Sequence, residues 1–117
     1  AYKALKRPFD VTILGMGPDG HTASLFPHAE GLEHGLATDD LVCAINAIES
    51  DVTGKITERM TLTLSAIADS KVVKLLISGE EKLAVYKQAK EGGAVADMPL
   101  RAVLNHPHIN IEVYWAP

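Results

Sequence analysis

Two residues able to move a proton, Asp19 and His21, lie two positions apart in the stretch Gly15-Met16-Gly17-Pro18-Asp19-Gly20-His21. Histidine is suited to activating water because its unperturbed pKa, ~6.5, falls near neutral pH. A carboxylate beside it can fix the imidazole tautomer and stabilise the imidazolium that forms. Backbone amides of a glycine-rich turn, here around Gly17 and Gly20, can donate to an oxyanion. Together these parts suit the attack of water on an ester-type carbonyl. The same residue types also make an ordinary turn, with His21 merely opening a helix, since Gly, Pro and Asp are favoured turn formers.

The spacing Gly15-x-Gly17-x-x-Gly20 also matches the dinucleotide-binding fingerprint, and Asp39 and Asp40 lie about twenty residues on, where a ribose-binding acid belongs. The chemistry argues against that reading. Asp19 would set a carboxylate against the pyrophosphate, Pro18 removes an amide, and Pro27 cuts short the helix that should follow.

These residues need a scaffold. Phe9 to Leu14 reads as a strand ending at a glycine, and Gly15 to Gly20 as a loop. Thr22 to Phe26 reads as a short helical turn stopped by Pro27. A loop rich in Gly, His and acids follows, containing His28 and His34. Leu41 to Ile45 reads as a buried strand, Asp51 to Glu58 as a loop, Met60 to Leu64 as an alternating segment, and Ala66 to Ala68 as a short helix. Val72 to Ile77 is the clearest strand. A helix is expected over Glu80 to Lys90, with acids at its start and lysines at its end, and another over Leu100 to Leu104 behind Pro99. Ile109 to Trp115 reads as the last strand. Strands alternating with helical segments predict an α/β fold with a mainly parallel sheet flanked by helices, Rossmann-like, as one domain over residues 1–117. In such sheets ligands bind beyond the carboxyl ends of the strands, where the loops at Gly15 to His21 and at Ser78 to Lys82 both fall.

The composition excludes several classes. The chain has 117 residues, 47% apolar and 22% charged, with a net charge of −4 and eleven scattered Lys and Arg. Neither a nucleic-acid binder nor a membrane protein is expected from these values. The single cysteine, Cys43, rules out an internal disulfide and suits a reducing, cytoplasmic compartment. Cys43 lies in an apolar run and reads as core. A chain opening on Ala1, with a short basic segment (Lys3, Lys6, Arg7) directly before a strand, is expected to be the C-terminal piece of something longer.

The segment from Phe9 to Pro27, with its core Gly15-Met16-Gly17-Pro18-Asp19-Gly20-His21-Thr22-Ala23-Ser24-Leu25-Phe26-Pro27, closely resembles the signature of 6-phosphogluconolactonases. Further matches follow in order at Glu58 to Thr63, Ser78 to Lys82, Pro99 to Leu104 and Val113 to Pro117. The resemblance implies hydrolysis of 6-phosphogluconolactone to 6-phosphogluconate in the oxidative pentose phosphate pathway, with no cofactor and no catalytic metal. It implies His21 as general base with Asp19 beside it, and Lys82 as a holder of the sugar phosphate. Arg59 is a candidate second phosphate ligand, because guanidinium binds phosphate through two parallel hydrogen bonds; a surface arginine flanking a strand is the other reading. Members of the family are about twice this length, so an N-terminal half, or a second copy of the chain, is expected to complete the pocket.

The nearest rival is glucosamine-6-phosphate deaminase, which shares the fold and the Asp-Gly-His core. That family continues into Ile-Ala-Phe-Asn-Glu-Pro, whereas here Phe26 stands in place of the glutamate that supports the ring-opening histidine. A non-catalytic sugar-phosphate-binding module is the rival from outside the enzymes. A serine hydrolase is excluded by the lack of a Gly-x-Ser-x-Gly elbow. His106 and His108 lack an accompanying carboxylate or cysteine at ligand spacing and read as structural. Leu83 and Tyr86, three apart on a helix, read as packing residues.

Overall fold

The computed structural model describes residues 6–50, 54 and 57–117. Lys3 and most of the expected loop from Asp51 to Glu58 lie outside the described residues. Strand β1 (Phe9–Leu14) is followed by helix α1 (Leu32–Ala37), strands β2 (Val42–Asn46) and β3 (Glu58–Leu62), and helix α2 (Leu64–Ala68). Strand β4 (Ser70–Ser78), helices α3 (Glu80–Lys90) and α4 (Leu100–Leu104), and strand β5 (Ile111–Ala116) complete the order. The α/β class is as expected.

The strands form a parallel sheet in the order β1-β4-β5 and a separate antiparallel pair, β2-β3. Leu14 of β1 pairs with Leu75 of β4, so β4 runs on past the end of β1 to Ser78. The carboxyl ends of β1 and β4 therefore open side by side, and the loops that leave them are neighbours. The alternation in β4 is the period of a pleated strand: Val73, Leu75 and Ile77 are buried and Leu76 is exposed. The buried face packs with Leu25, Ile67 and Leu100 into one apolar core. The opposite face carries Val11, Ile13, Leu76 and Tyr114 into solvent, with Ile13 64% exposed. No helix among the described residues is long and apolar enough to cross a membrane.

Local chemistry explains most element boundaries. Thr63 caps α2, its hydroxyl accepting from the Ala66 amide at 3.2 Å, which turns the expected Met60 to Leu64 segment into the end of β3 and the start of a helix. Helix α3 spans the expected residues, preceded by Gly79 at φ 87°. Two expectations fail. Thr22 to Phe26 is not helical but a tight turn closed by a Thr22–Leu25 bridge, with Ala23 at φ 52°. The buried Thr22 hydroxyl donates to the Gly15 carbonyl at 2.8 Å and the Ser24 amide donates to the Thr61 hydroxyl at 3.0 Å, so partners outside the segment satisfy it in this shape. The loop expected after Pro27 contains α1, so His34 is a helical residue rather than a loop residue. Gly35 lets α1 press against the core, for a Cβ there would lie 3.1 Å from both Cys43 Sγ and Leu25 Cδ2.

Candidate active site

The loop leaving β1 is held in shape from inside and outside. Within it, the Gly17 amide donates to the His21 carbonyl and the Gly20 amide to the Gly17 carbonyl, each at 3.0 Å. From outside, the Leu100 amide at the start of α4 donates to the Gly20 carbonyl at 3.0 Å. Gly20 has φ 84°, and a Cβ on it would meet Met98 Cγ at 2.8 Å. Only glycine meets both demands at this position.

This closed loop brings Asp19 and His21 together. The Asp19 carboxylate oxygen Oδ1 accepts from the His21 backbone amide at 3.0 Å and lies 2.5 Å from His21 Nδ1. An ionised carboxylate only accepts, so Nδ1 is the donor of this bond, and in the neutral imidazole Nε2 then keeps its lone pair. The two side chains are 25% and 20% exposed, shielded enough for the pair to hold and open enough for a ligand to reach. Gly17 clears the space for the ring, since a Cβ at position 17 would overlap Cε1 and Nδ1 of His21. The structure thus gives Gly17 and Gly20 a definite role as residues without side chains. Their own amides are engaged within the loop.

Phe26, buried at the end of the loop, stacks on His21 with ring centroids 4.3 Å apart and planes inclined by 31°. Arg59, on β3 opposite Ile45, places its guanidinium carbon 5.1 Å from the centroid of the same ring. The β2-β3 pair therefore delivers Arg59 to the neighbourhood of His21, with Phe26 touching both. Sequence reasoning weighed Phe26 only as a departure from the deaminase motif. Its one signal in the sequence is an aromatic residue five positions after His21 and just before a proline. Lys82, in the first turn of α3, is half-buried and makes no ion pair or side-chain hydrogen bond among the described residues. The start of α3 is fixed by the Trp115 indole, which donates to the Gly79 carbonyl at 2.9 Å.

The remaining candidates fall away from chemistry. His28 pairs with Asp97 at 2.7 Å on an exposed surface. His106 Nδ1 accepts from the His108 amide at 3.1 Å, and no group of three metal-ligating side chains is present among the described residues. Cys43 is a buried free thiol whose pKa is raised, first by burial and then by the charge of Asp40, which is the opposite of what a nucleophile needs. Tyr86 packs against the core.

The model of the family described as glucosamine-6-phosphate isomerases/6-phosphogluconolactonase matches residues 2–115. A 6-phosphogluconolactonase of Rhizobium meliloti is 40% identical over 114 residues, which are 97% of this chain and 48% of that protein. One from Neisseria meningitidis serogroup A is 42% identical over 116 residues, 99% of this chain and 48% of that one. The crystal structure of a 6-phosphogluconolactonase from Shewanella baltica superposes with a TM-score of 0.88 at 43% identity, covering 97% of this chain and 47% of the other. The chain spans about half the length of the curated relatives that it matches.

Proposed function

Because the chain belongs to the glucosamine-6-phosphate isomerase/6-phosphogluconolactonase family, we propose that it is the base-bearing, C-terminal α/β domain of an enzyme that hydrolyses 6-phosphogluconolactone. The observation that carries the reading is the Asp19–His21 pair, with Nδ1 of the histidine committed to the carboxylate and Nε2 left as a base.

In this mechanism His21 Nε2 takes a proton from water as the water oxygen attacks the lactone carbonyl carbon. Asp19 stabilises the imidazolium that results. The tetrahedral intermediate then collapses, the bond from the carbonyl carbon to the ring oxygen breaks, and the proton on Nε2 passes to that oxygen. The product is the open-chain acid. Gly17 and Gly20 line the site as bare backbone, and negative charge on the carbonyl oxygen falls to donors other than their two amides. Lys82 and Arg59 hold the phosphate, a role that suits a half-buried lysine without an ion pair among the described residues and a guanidinium braced on an aromatic ring. No step calls for a cofactor or a metal. The reading implies a cytoplasmic setting, which the lone free thiol suits.

The partner that completes the site is the polypeptide corresponding to the other half of the relatives. Parallel sheets are almost always covered on both faces. Here one face of β1-β4-β5 leaves Val11, Ile13, Leu76 and Tyr114 in solvent, and among the described residues β1 is an edge strand of the sheet. A half that adds a strand beside β1 and lays helices over this face answers both features.

The test is lactone hydrolysis followed by proton release, with spontaneous opening subtracted, on this chain alone and with the completing half. Hydrolysis that appears with the completing half and is lost in His21→Gln supports the reading. Ammonia released from glucosamine 6-phosphate, without lactone hydrolysis, overturns it.

A further inference from the structure

One buried ring touches both groups that the proposed reaction assigns to opposite ends of its substrate. Phe26 lies against the imidazole of His21 and under the guanidinium of Arg59. The ring is only 3% exposed and belongs to the same apolar cluster as Leu14, Met16 and Leu25. The chain around it is fixed as well, for Pro27 follows and the Phe26 carbonyl accepts from the Ala29 amide at 3.3 Å. Phe26 is therefore a rigid plate inserted between the two side chains.

Asp19 secures His21 through one nitrogen, which leaves the imidazole free to swing about that hydrogen bond. Gly17 leaves open the space beside the Cε1 and Nδ1 edge, where a Cβ would overlap the ring. The flat face of Phe26 supports the ring plane, which an aliphatic side chain would do less well. The same π system attracts the Arg59 guanidinium, and it attracts the imidazolium once His21 has taken its proton. The two contacts also bound the separation of base and cation, because His21 and Arg59 can be no farther apart than the two legs through the Phe26 centroid allow.

We infer that Phe26 is a positioning residue that fixes the His21 imidazole and the Arg59 guanidinium relative to each other, and so sets the span between the attacked carbonyl and the phosphate. The inference deepens the lactonase reading and depends on it for the reaction, but not for the geometry. A residue that served only as filler would support neither the orientation of the base nor the grip on the phosphate.

The test is Phe26→Leu in the form of the enzyme that hydrolyses the lactone, with proton NMR of His21 read alongside. The inference expects kcat to fall about tenfold or more, as a misplaced base would cause. In the same variant KM for the phosphorylated lactone rises, and its advantage over an unphosphorylated lactone shrinks. In the wild type, the His21 ring protons are shifted upfield by the Phe26 ring and show a nuclear Overhauser contact to it, and the shift is lost in Phe26→Leu. A folded Phe26→Leu with wild-type kcat, KM and His21 resonances overturns the inference. Should that variant fail to fold, absence of the Overhauser contact in the wild type overturns it instead. A wild type that shows the contact but hydrolyses no lactone retires the reaction and leaves the positioning geometry standing.

Discussion

Gly17 stands so close to His21 that a methyl group on its Cα would lie 2.1 Å from Cε1 of the imidazole. The ring occupies the place where a side chain at position 17 would be. Gly17→Ala must then push His21 out of its alignment with Asp19. Kinetics should show kcat down by ~10²-fold, the scale of a displacement of about an ångström. Urea unfolding should show a loss of about 1–3 kcal/mol, typical of overpacking. An alanine variant with full activity would mean that the loop holds His21 elsewhere.

Asp19 and His21 should fail differently. His21→Gln removes the base and should lower kcat by ~10²–10⁴-fold with little change in KM. Asp19→Asn keeps the shape of the pair but removes the charge that stabilises the imidazolium, so kcat should fall. Equal rates in wild type and Asp19→Asn would remove the carboxylate from the mechanism.

Lys82→Ala should raise KM with kcat nearly unchanged, because a group that grips the phosphate remote from the reacting carbonyl binds ground and transition states alike. Inorganic phosphate, as a competitive inhibitor of the wild type, should lose its effect in the variant. Unaltered KM and inhibition would show that Lys82 faces away from the substrate.

Ile13→Asp places a charge in the middle of the uncovered sheet face. The residue is 64% exposed, so the variant chain should keep its own stability to within about 0.5 kcal/mol. Association with the completing half, read by gel filtration or by recovery of lactone hydrolysis, should be lost. Undiminished association would move the interface off this face.

Alkaline stability should reflect Cys43. Its thiol pKa is raised in the folded chain, so over the ordinary thiol range the unfolded chain releases this proton first. The folded state then binds more protons, and stability falls as pH climbs through that range. Urea midpoints taken from neutral pH to about pH 10 should decline less steeply in Cys43→Ala than in the wild type. Parallel declines would assign the alkaline loss to other groups.

How much of this could be read from residues alone varied with how local the cause was. Strand β4 and helix α3 are set by patterns within their own length, an apolar alternation and an acid-to-lysine gradient, and both lie where the sequence puts them. Helix α1 was not legible, because six residues with Gly35 inside and no side-chain cap carry almost no signal. Its shape comes from contact with Cys43 and Leu25. The Asp19–His21 pair was legible because the two residues are nearly adjacent. The meeting of His21, Phe26 and Arg59 was not, since β2-β3 pairing across the fold brings Arg59 there. The bonds of the Gly17 and Gly20 amides were not legible, because a glycine's type does not reveal which carbonyl its N–H has found.

The bond from the Leu100 amide to the Gly20 carbonyl, with Met98 packed against Gly20, ties the Asp19–His21 loop to a segment made some eighty residues later. During synthesis the loop emerges from the ribosome before α4 and lacks its outer brace until α4 has followed it out. A nascent chain halted before Met98 therefore carries both proton-handling side chains without the support that α4 gives them. The geometry of this centre is thus completed only once α4 has been made, by a part of the chain that holds neither Asp19 nor His21.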